Sequence, residues 1–264
     1  MSFDLKTYLN EQVEKYNSST FIASDPISIP HRFSRLQDIE ITAFWTAMLA
    51  WGQRKTIIAK AEDLVRRMDG APYDFIVNHL EQDRAAFLSF KHRTFQPTDT
   101  LYFLEFLQWF YRRHHSLEEA FLQNLQPTDS HIGNALAGFH HLFFSLPDAP
   151  GRTQKHVPTP VAKSTCKRLN MFLRWMVRHD ERGVDFGLWK KIKPSQLLIP
   201  LDVHVERIAR RFGLLERPQT DWLAVLELTE RLKTFDAEDP VRYDFALFGA
   251  GVLEKTEQLN SLKI

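Results

Sequence analysis

A carboxylate at the start of a predicted helix is the first feature of this sequence that could do chemistry. Asp202 precedes apolar residues that recur with helical spacing, and Gly213 follows where a left-handed residue ends many helices. Asp is a common cap for the free N–H groups of a first turn, so capping alone explains Asp202. A carboxylate held in this way can also stabilise positive charge on a reacting substrate. Both interpretations stay open from these residues alone.

The sequence around Asp202 resembles a motif of the helix-hairpin-helix DNA glycosylases, the endonuclease III-like superfamily. Leu-Asp-Val-His-Val begins at Leu201, an arginine follows, and Phe-Gly-Leu ends at Leu214. In that superfamily the aspartate at this helix start is the catalytic carboxylate. The resemblance therefore implies a catalytic role for Asp202.

Two further stretches resemble the same superfamily. Gln53 follows a strongly apolar helix, where the superfamily has a glutamine that enters the space left by an extruded base. Residues 163–173 resemble the hairpin and its second helix, and this alignment places Lys167 at the nucleophilic lysine of the bifunctional members. Lys163-Ser164-Thr165 stands in place of the Gly-x-Gly that normally binds a backbone phosphate.

The connection from the hairpin to the aspartate is longer here than in endonuclease III. Lys167 and Asp202 are 35 residues apart, and residues 183–198 account for the extra length. The archaeal 8-oxoguanine glycosylases also have a longer connection at this place. They are therefore the nearer comparison, and an oxidised purine is the damaged base that the resemblance suggests.

The chemistry that the resemblance implies suits these two residue types. A carboxylate stabilises the oxocarbenium-like transition state as a glycosidic bond breaks. A neutral lysine can attack C1′, displace the base and form a Schiff base, and positive neighbours favour the neutral amine. An extruded base must also be accommodated, which gives Trp51, Trp175 and Asp244 as pocket residues. The expected nucleic-acid contacts are Gln53, Arg54, Lys163, Ser164, Arg168, Arg174, His204 and Arg207.

Charge is distributed unevenly along the chain. The net charge is only +1, but residues 151–217 hold 15 Lys and Arg against 6 Asp and Glu, a net charge of +9. The rest of the chain therefore carries −8. A basic segment of this kind indicates either a solvated surface or a face that binds a polyanion.

Composition excludes several classes of protein. The single cysteine, Cys166, rules out an intrachain disulfide and a four-cysteine iron–sulfur or zinc site. We expect no cofactor and no metal. The sequence has neither a signal-peptide pattern nor an apolar run long enough to span a membrane. The expectation is a cytoplasmic, nucleoid-associated monomer that binds double-stranded DNA with a damaged base.

Apolar periodicity without alternating strands predicts an all-α fold. We expect one glycosylase-like unit over residues 1–264, with two helical subdomains and a cleft between them. A central bundle covers 36–145, a proline-rich loop 146–160, and the hairpin-containing half 161–252. The predicted helices lie at about residues 3–17, 38–51, 55–68, 73–90, 100–113, 116–125, 131–145, 161–178, 203–212, 221–235 and 240–252.

The chain also resembles an uncharacterised bacterial family across most of its length. The matching stretches are residues 38–41, 50–54, 90–95, 167–178, 200–204 and 239–248. This second resemblance implies no activity. Three functions therefore remain: a base-excision DNA glycosylase with lyase activity, a non-catalytic nucleic-acid binder of the same fold, and a helical enzyme for a small nucleobase or nucleoside.

Overall fold

The computed structural model describes residues 4–253. All of the regular secondary structure in these residues consists of helices, joined by turns and loops. An isolated bridge between His92 and Phe95 is the only β-type pairing in that part of the chain. The all-α prediction is confirmed for these residues. The α-helices are α1 (Leu5–Tyr16), α2 (Ser19–Ile22), α3 (Leu36–Leu49), α4 (Arg54–Arg67), α5 (Pro72–Asn78), α6 (Pro97–Tyr111), α7 (Glu118–Leu122), α8 (Gly133–Phe143), α9 (Lys167–Val177), α10 (Val203–Arg211), α11 (Trp222–Lys233) and α12 (Tyr243–Leu253).

Short 3-10 helices lie between some of these α-helices. Most of them begin with proline, whose fixed φ suits a first helical turn and whose missing N–H is not needed there. They lie at Pro26–Ser28, Pro30–Arg32, Glu81–Phe87, Gly151–Lys155, Pro160–Ala162, Pro194–Gln196 and Pro240–Arg242.

The described chain forms two compact units. The terminal unit contains residues 4–21, 130–132 and 160–253, and therefore α1 and α9 to α12. The internal unit contains residues 22–129 and 133–159, and therefore α3 to α8. The predicted subdomain boundaries are not tested by this division and stay a prediction.

Helix α3 is buried on all of its sides within the internal unit, because apolar residues occur almost all the way around the helix. Every side chain from Ile39 to Leu49 is buried, including that of Glu40. The Glu40 carboxylate accepts hydrogen bonds from the Tyr111 hydroxyl at 2.8 Å and from the Leu117 N–H at 3.0 Å. These bonds offset the cost of burying a charge and tie α3 to α6 and to the start of α7.

Helix α12 packs against both α1 and α10 in the terminal unit. Two glycines allow the close approach. A Cβ atom at Gly249 would overlap the ring of Tyr16, and one at Gly251 would lie 3.0 Å from the carbonyl oxygen of His204. Larger residues at either position would push the helices apart.

The ends of several helices agree with the sequence-based predictions. Asp202 is the N-cap of α10 and Asp221 is the N-cap of α11, and Gly213 has the left-handed φ of 66°. Helix α1 begins at Leu5, and Phe3 of the predicted helix lies outside the described residues. Side chains that bond their own helix start can be recognised from sequence because the interaction is local.

Three of the predicted helices are wrong in detail. The helix predicted over 161–178 is a 3-10 turn, a non-helical turn and then α9, because Lys163 and Cys166 adopt left-handed φ values of 59° and 49°. The helix predicted over 73–90 breaks at His79 between α5 and a 3-10 helix. The sequence predicts Asp99 just before its helix, but Asp99 lies in the first turn of α6 and accepts the Gln96 N–H at 2.8 Å.

Candidate active site

Lys167 and Asp202 lie side by side in the terminal unit. The distance from Lys167 Nζ to Asp202 Oδ2 is 3.7 Å, and the two side chains are 31% and 12% exposed. The lysine is the first residue of α9 and the aspartate is the N-cap of α10. The fold therefore brings an amine and a carboxylate together at one partly exposed place.

Helix α10 fixes the orientation of the Asp202 carboxylate. Oδ1 accepts the N–H groups of His204 and Val205 at 2.8 and 2.9 Å. Oδ2 is the oxygen nearest to Lys167. One oxygen thus holds the side chain in place while the other is presented toward the amine.

A tight turn places Lys167 at the start of α9. Lys163 takes the left-handed conformation at the position aligned with the first glycine of Gly-x-Gly. Its carbonyl oxygen accepts the Trp222 N–H at 3.0 Å, which ties the turn to the start of α11. The Ser164 hydroxyl accepts the Cys166 N–H at 3.2 Å, so this predicted DNA contact also stabilises the turn itself.

Positively charged side chains are concentrated at the N-terminus of α9, which is also the positive end of the helix dipole. Lys167 and Arg168 are the first two residues of the helix, its first turn contains no acidic residue, and Lys163 is exposed in the preceding turn. Burial lowers the pKa of Arg168 to about 10. Cations at a helix N-terminus are unfavourable for stability, typically by about 0.3–1 kcal/mol each. The Asp202 carboxylate beside Lys167 offsets part of that cost, and an anion bound at this place would offset more of it.

Arg174 is not available to DNA, and its predicted role as a contact is wrong. Its side chain is only 6% exposed, and its guanidinium contacts the Asp185 carboxylate at 3.2 Å and also that of Asp244. Both carboxylates hold the arginine inside the unit, where a phosphate cannot reach it.

Asp244 belongs to this buried cluster rather than to an open base pocket. Burial raises the pKa of Asp244 to about 7, because Arg174 only partly offsets the cost of desolvation and the negative charge of Asp202 adds to it. A proton can therefore bind or leave Asp244 near neutral pH. The site thus has a second carboxyl group, electrostatically coupled to Asp202.

Sequence reasoning missed the residues that complete this cluster. Arg178, one turn after Arg174, contacts Asp185 at 3.2 Å, Asp239 at 2.9 Å and Asp180 at 2.7 Å. The signal in the sequence is the four-residue spacing of the two arginines, which predicts that both lie on one side of a helix; in the structure Arg178 is the residue that ends α9. Their acidic partners are distant in sequence and follow no local pattern.

Other predicted residues of the terminal unit have mixed outcomes. Trp175 is only 1% exposed, so its ring has no face open to a base and the predicted pocket role is wrong. His204 is half-buried, with its ring edge-on to Phe248 at 6.1 Å. Arg207 is exposed and donates a hydrogen bond to the Gly251 carbonyl oxygen. The roles of His204 and Arg207 stay predictions.

The remaining predicted residues lie in the internal unit, at the turn between α3 and α4. Gly52 has a φ of 102° there, Gln53 is exposed, and Arg54 begins α4. Trp51 is half-buried and stacks on the His156 ring at 5.6 Å with a 20° angle between the planes. These three predicted contacts stay predictions.

A buried carboxylate supports the ring on which Trp51 stacks. His156 Nε2 lies 3.3 Å from Oδ2 of Asp99, whose side chain is fully buried. Burial opposes ionisation of Asp99, but its contact with His156 and hydrogen bonds from Gln96 and Thr153 lower its pKa to about 2. The Asp99–His156 pair is therefore a further group that sequence reasoning missed, since the sequence around Asp99 indicates only a simple cap.

Fold and site define this protein as an all-α chain with a lysine–aspartate pair at two helix starts. The chain belongs to the family described as "Protein of unknown function (DUF2400)", whose family model matches residues 25–253. The predicted membership of an uncharacterised family is confirmed. No curated protein matches the chain, and no solved structure matches it. Any function must therefore be inferred from the residues themselves.

The described residues hold neither a membrane-spanning helix nor a cluster of metal ligands. No helix within residues 4–253 has the length and apolar character needed to cross a membrane. In the same residues, no group of three or more His, Cys, Asp or Glu side chains is placed to hold a metal ion. The expectation that no cofactor is needed stays a prediction.

Proposed function

We propose that this protein is a base-excision DNA glycosylase with lyase activity, with Lys167 as the nucleophile and Asp202 as the essential carboxylate. The observation that carries the proposal is the 3.7 Å distance between Lys167 Nζ and Asp202 Oδ2. The two residues come from separate stretches of sequence, each of which resembles the superfamily. Their proximity supports that resemblance.

Each residue has a defined part in the proposed reaction. The Lys167 lone pair forms a bond to C1′ as the bond between C1′ and the base breaks. The base leaves with that electron pair and takes up a proton. Asp202 stabilises positive charge on the sugar in this transition state. The new bond leaves Lys167 as a secondary ammonium group, which loses a proton to become a secondary amine. The lone pair of this amine forms a C=N bond as C1′–O4′ opens, and O4′ takes up a proton.

Two features support DNA as the substrate. Lys163 is exposed just before α9, and Lys167 and Arg168 lie at the positive end of its dipole. A phosphate group bound there would interact favourably with these cations and with the helix dipole. The stretch from 151 to 217 carries the net charge of +9 on a nearly neutral chain. We propose a monomer that acts on DNA carrying a damaged base, with an oxidised purine first among the candidates, in the cytoplasm at the nucleoid.

A borohydride trap tests this proposal directly. Wild-type protein is incubated with duplexes carrying 8-oxoguanine, uracil or an abasic site, and borohydride reduces any Schiff base to a stable covalent adduct. We expect an adduct with wild type and none with Lys167→Ala. Lys6→Ala, at an exposed lysine of α1, is the control and keeps the adduct. Absence of an adduct on every duplex would contradict the lyase.

A non-catalytic DNA-binding protein is the alternative, suggested by the departure from Gly-x-Gly at Lys163-Ser164-Thr165. A base-release assay separates the alternatives. A glycosylase without lyase activity would still release a base, and Asp202→Asn would abolish that release. Binding of DNA without adduct and without base release would support the alternative.

A further inference from the structure

The connection between α9 and α10 contains a positively charged segment that is anchored to the helices of the terminal unit. We call residues 183–198 the strap. Its charged residues are Asp185 and the lysines Lys190, Lys191 and Lys193. The aspartate is buried between two arginines, whereas all three lysines are exposed. Every charge that the strap presents at its surface is therefore positive.

Buried anchors hold the strap in place. The Phe186 N–H donates to the Trp175 carbonyl at 2.8 Å, and the Trp189 N–H donates to that of Met176 at 2.9 Å. Trp189 is 1% exposed, with its ring edge-on to Phe172 at 5.3 Å. These anchors do not involve the lysine side chains.

Along the strap, buried residues are interspersed with the exposed lysines. Ile192, between Lys191 and Lys193, is only 2% exposed. The Gln196 side chain accepts the Lys193 N–H at 3.1 Å, and the Gln196 carbonyl accepts the Ile132 N–H at 3.0 Å. Because this backbone is ordered before any ligand arrives, binding through the lysines avoids the cost of ordering a loop.

The path of the strap leads back to the candidate active site. Trp189 is bonded to the last turn of α9, whereas Asp202 lies beside Lys167 at its first residue. Along the axis of α9 these two anchoring points are therefore about 14 Å apart, since each helical residue rises about 1.5 Å. One DNA strand carries about four phosphates over that length.

We propose that the strap binds phosphates of the DNA duplex through Lys190, Lys191 and Lys193, and so extends the interface beyond the hairpin. This inference rests on the proposed function, because it takes DNA as the ligand. The three ammonium groups neutralise backbone phosphates and release their counterions, which strengthens binding without reading sequence.

Salt dependence of DNA binding tests the strap. Fluorescence anisotropy of a labelled duplex with an abasic-site analogue is measured over a series of salt concentrations. In the triple variant Lys190→Gln, Lys191→Gln, Lys193→Gln, we expect the slope of log K against log salt to be shallower by about 0.9 for each phosphate that the variant no longer neutralises. Near 0.15 M salt the affinity should fall by roughly one to two orders of magnitude.

Two control variants separate the strap from charge in general. Replacing the same three lysines by arginine keeps the charge and should keep the slope. The variant Lys6→Gln, Lys15→Gln, Arg231→Gln removes an equal charge from exposed positions on α1 and α11 and should leave the slope unchanged. A slope unchanged in the strap variant, or changed equally in both glutamine variants, would overturn the inference.

The result also distinguishes this inference from the proposed function. Wild type that binds DNA and forms the borohydride adduct, with a strap variant that binds as tightly, would reject the strap alone. Wild type that fails to bind any duplex at any salt concentration would reject both. Circular dichroism of the strap variant confirms folding, which we expect to be intact because only exposed side chains change.

Discussion

Asp202 both caps α10 and carries the charge nearest to Lys167, and this dual role explains why its sequence signal is ambiguous. A cap is a local interaction and can be recognised from a few residues. The second role depends on α9, whose first residue is 35 positions earlier. Only the fold shows that one carboxylate serves both helices.

Two substitutions separate these roles of Asp202. Asn caps helices about as well as Asp, so Asp202→Asn should change the free energy of unfolding by less than about 0.5 kcal/mol while abolishing base release. Asp202→Ala should lose base release and also about 1 kcal/mol of stability. Urea unfolding and a base-release assay measure the two effects. Equal losses of stability in both variants would contradict the assignment of the cap.

Asp244 should make the stability of the protein depend on pH. Its pKa of about 7 in the folded protein exceeds the ordinary value of 3.8. The folded state therefore holds a proton that the unfolded state releases, and stability falls as pH rises between 3.8 and 7. Relative to Asp244→Asn, wild type should lose up to about 1.4 kcal/mol per pH unit in that window.

Urea unfolding of wild type and Asp244→Asn at about pH 5, 6 and 7 measures this difference. Asn is the matched control because it keeps the size and polarity of the protonated carboxyl group without its titration. A constant difference between the two proteins across these pH values would show that Asp244 does not titrate there.

Helix α9 shows at the scale of an element what periodicity can and cannot predict. Its apolar face is predicted correctly, but the predicted start is too early, because the pattern continues through residues that fold as a turn. Left-handed conformations at Lys163 and Cys166 break the helix, and neither residue type signals that conformation.

Glycines within α12 provide a test of packing between elements. Gly249→Ala would place a Cβ atom within the space of the Tyr16 ring, which is held between helices and cannot move away easily. We expect a loss of about 1–3 kcal/mol. Gly151→Ala is the control, because no atom lies within 4 Å of the added Cβ. Thermal unfolding measures both, and a Gly249→Ala variant as stable as the control would contradict this packing.

The all-α fold and the helix start at Asp202 could thus be predicted, but the buried ion cluster could not, and the catalytic roles of Lys167 and Asp202 stay predictions. Helical spacing and capping are encoded within a few residues, and Lys167 and Asp202 lie in stretches that resemble a known motif. The prediction for Arg174 is wrong because an arginine on a helix looks the same in sequence whether it faces solvent or a buried carboxylate. Only the fold brings Asp185 and Asp244 to it.

At the scale of the whole molecule, the structure shows which unit contains the basic stretch of residues 151–217. Most of the basic stretch lies in the terminal unit, which also contains the Lys167–Asp202 pair. That unit is assembled from three separate stretches of chain. Its helix α1 contacts α12, and the Asn17 amide donates to the Asp180 carboxylate at 2.6 Å.

Removal of residues 1–21 should therefore weaken the terminal unit. Without α1, the α12 face around Gly249 becomes exposed, and we expect faster amide hydrogen exchange in α12. Exchange followed by mass spectrometry measures this change, with removal of residues 1–3 alone as the control. Exchange rates in α12 that match those of the control would show that α1 contributes nothing to this packing.

The separation of α1 from its partner also has a consequence for synthesis on the ribosome. Helix α1 leaves the exit tunnel early, but the surface that covers it is translated more than two hundred residues later. The internal unit can fold in the meantime, because residues 22–129 and 133–159 are complete well before α12 exists. The nascent chain must therefore carry α1 without its partner until α12 emerges, and the terminal unit, which contains Lys167 and Asp202, is completed after the internal unit.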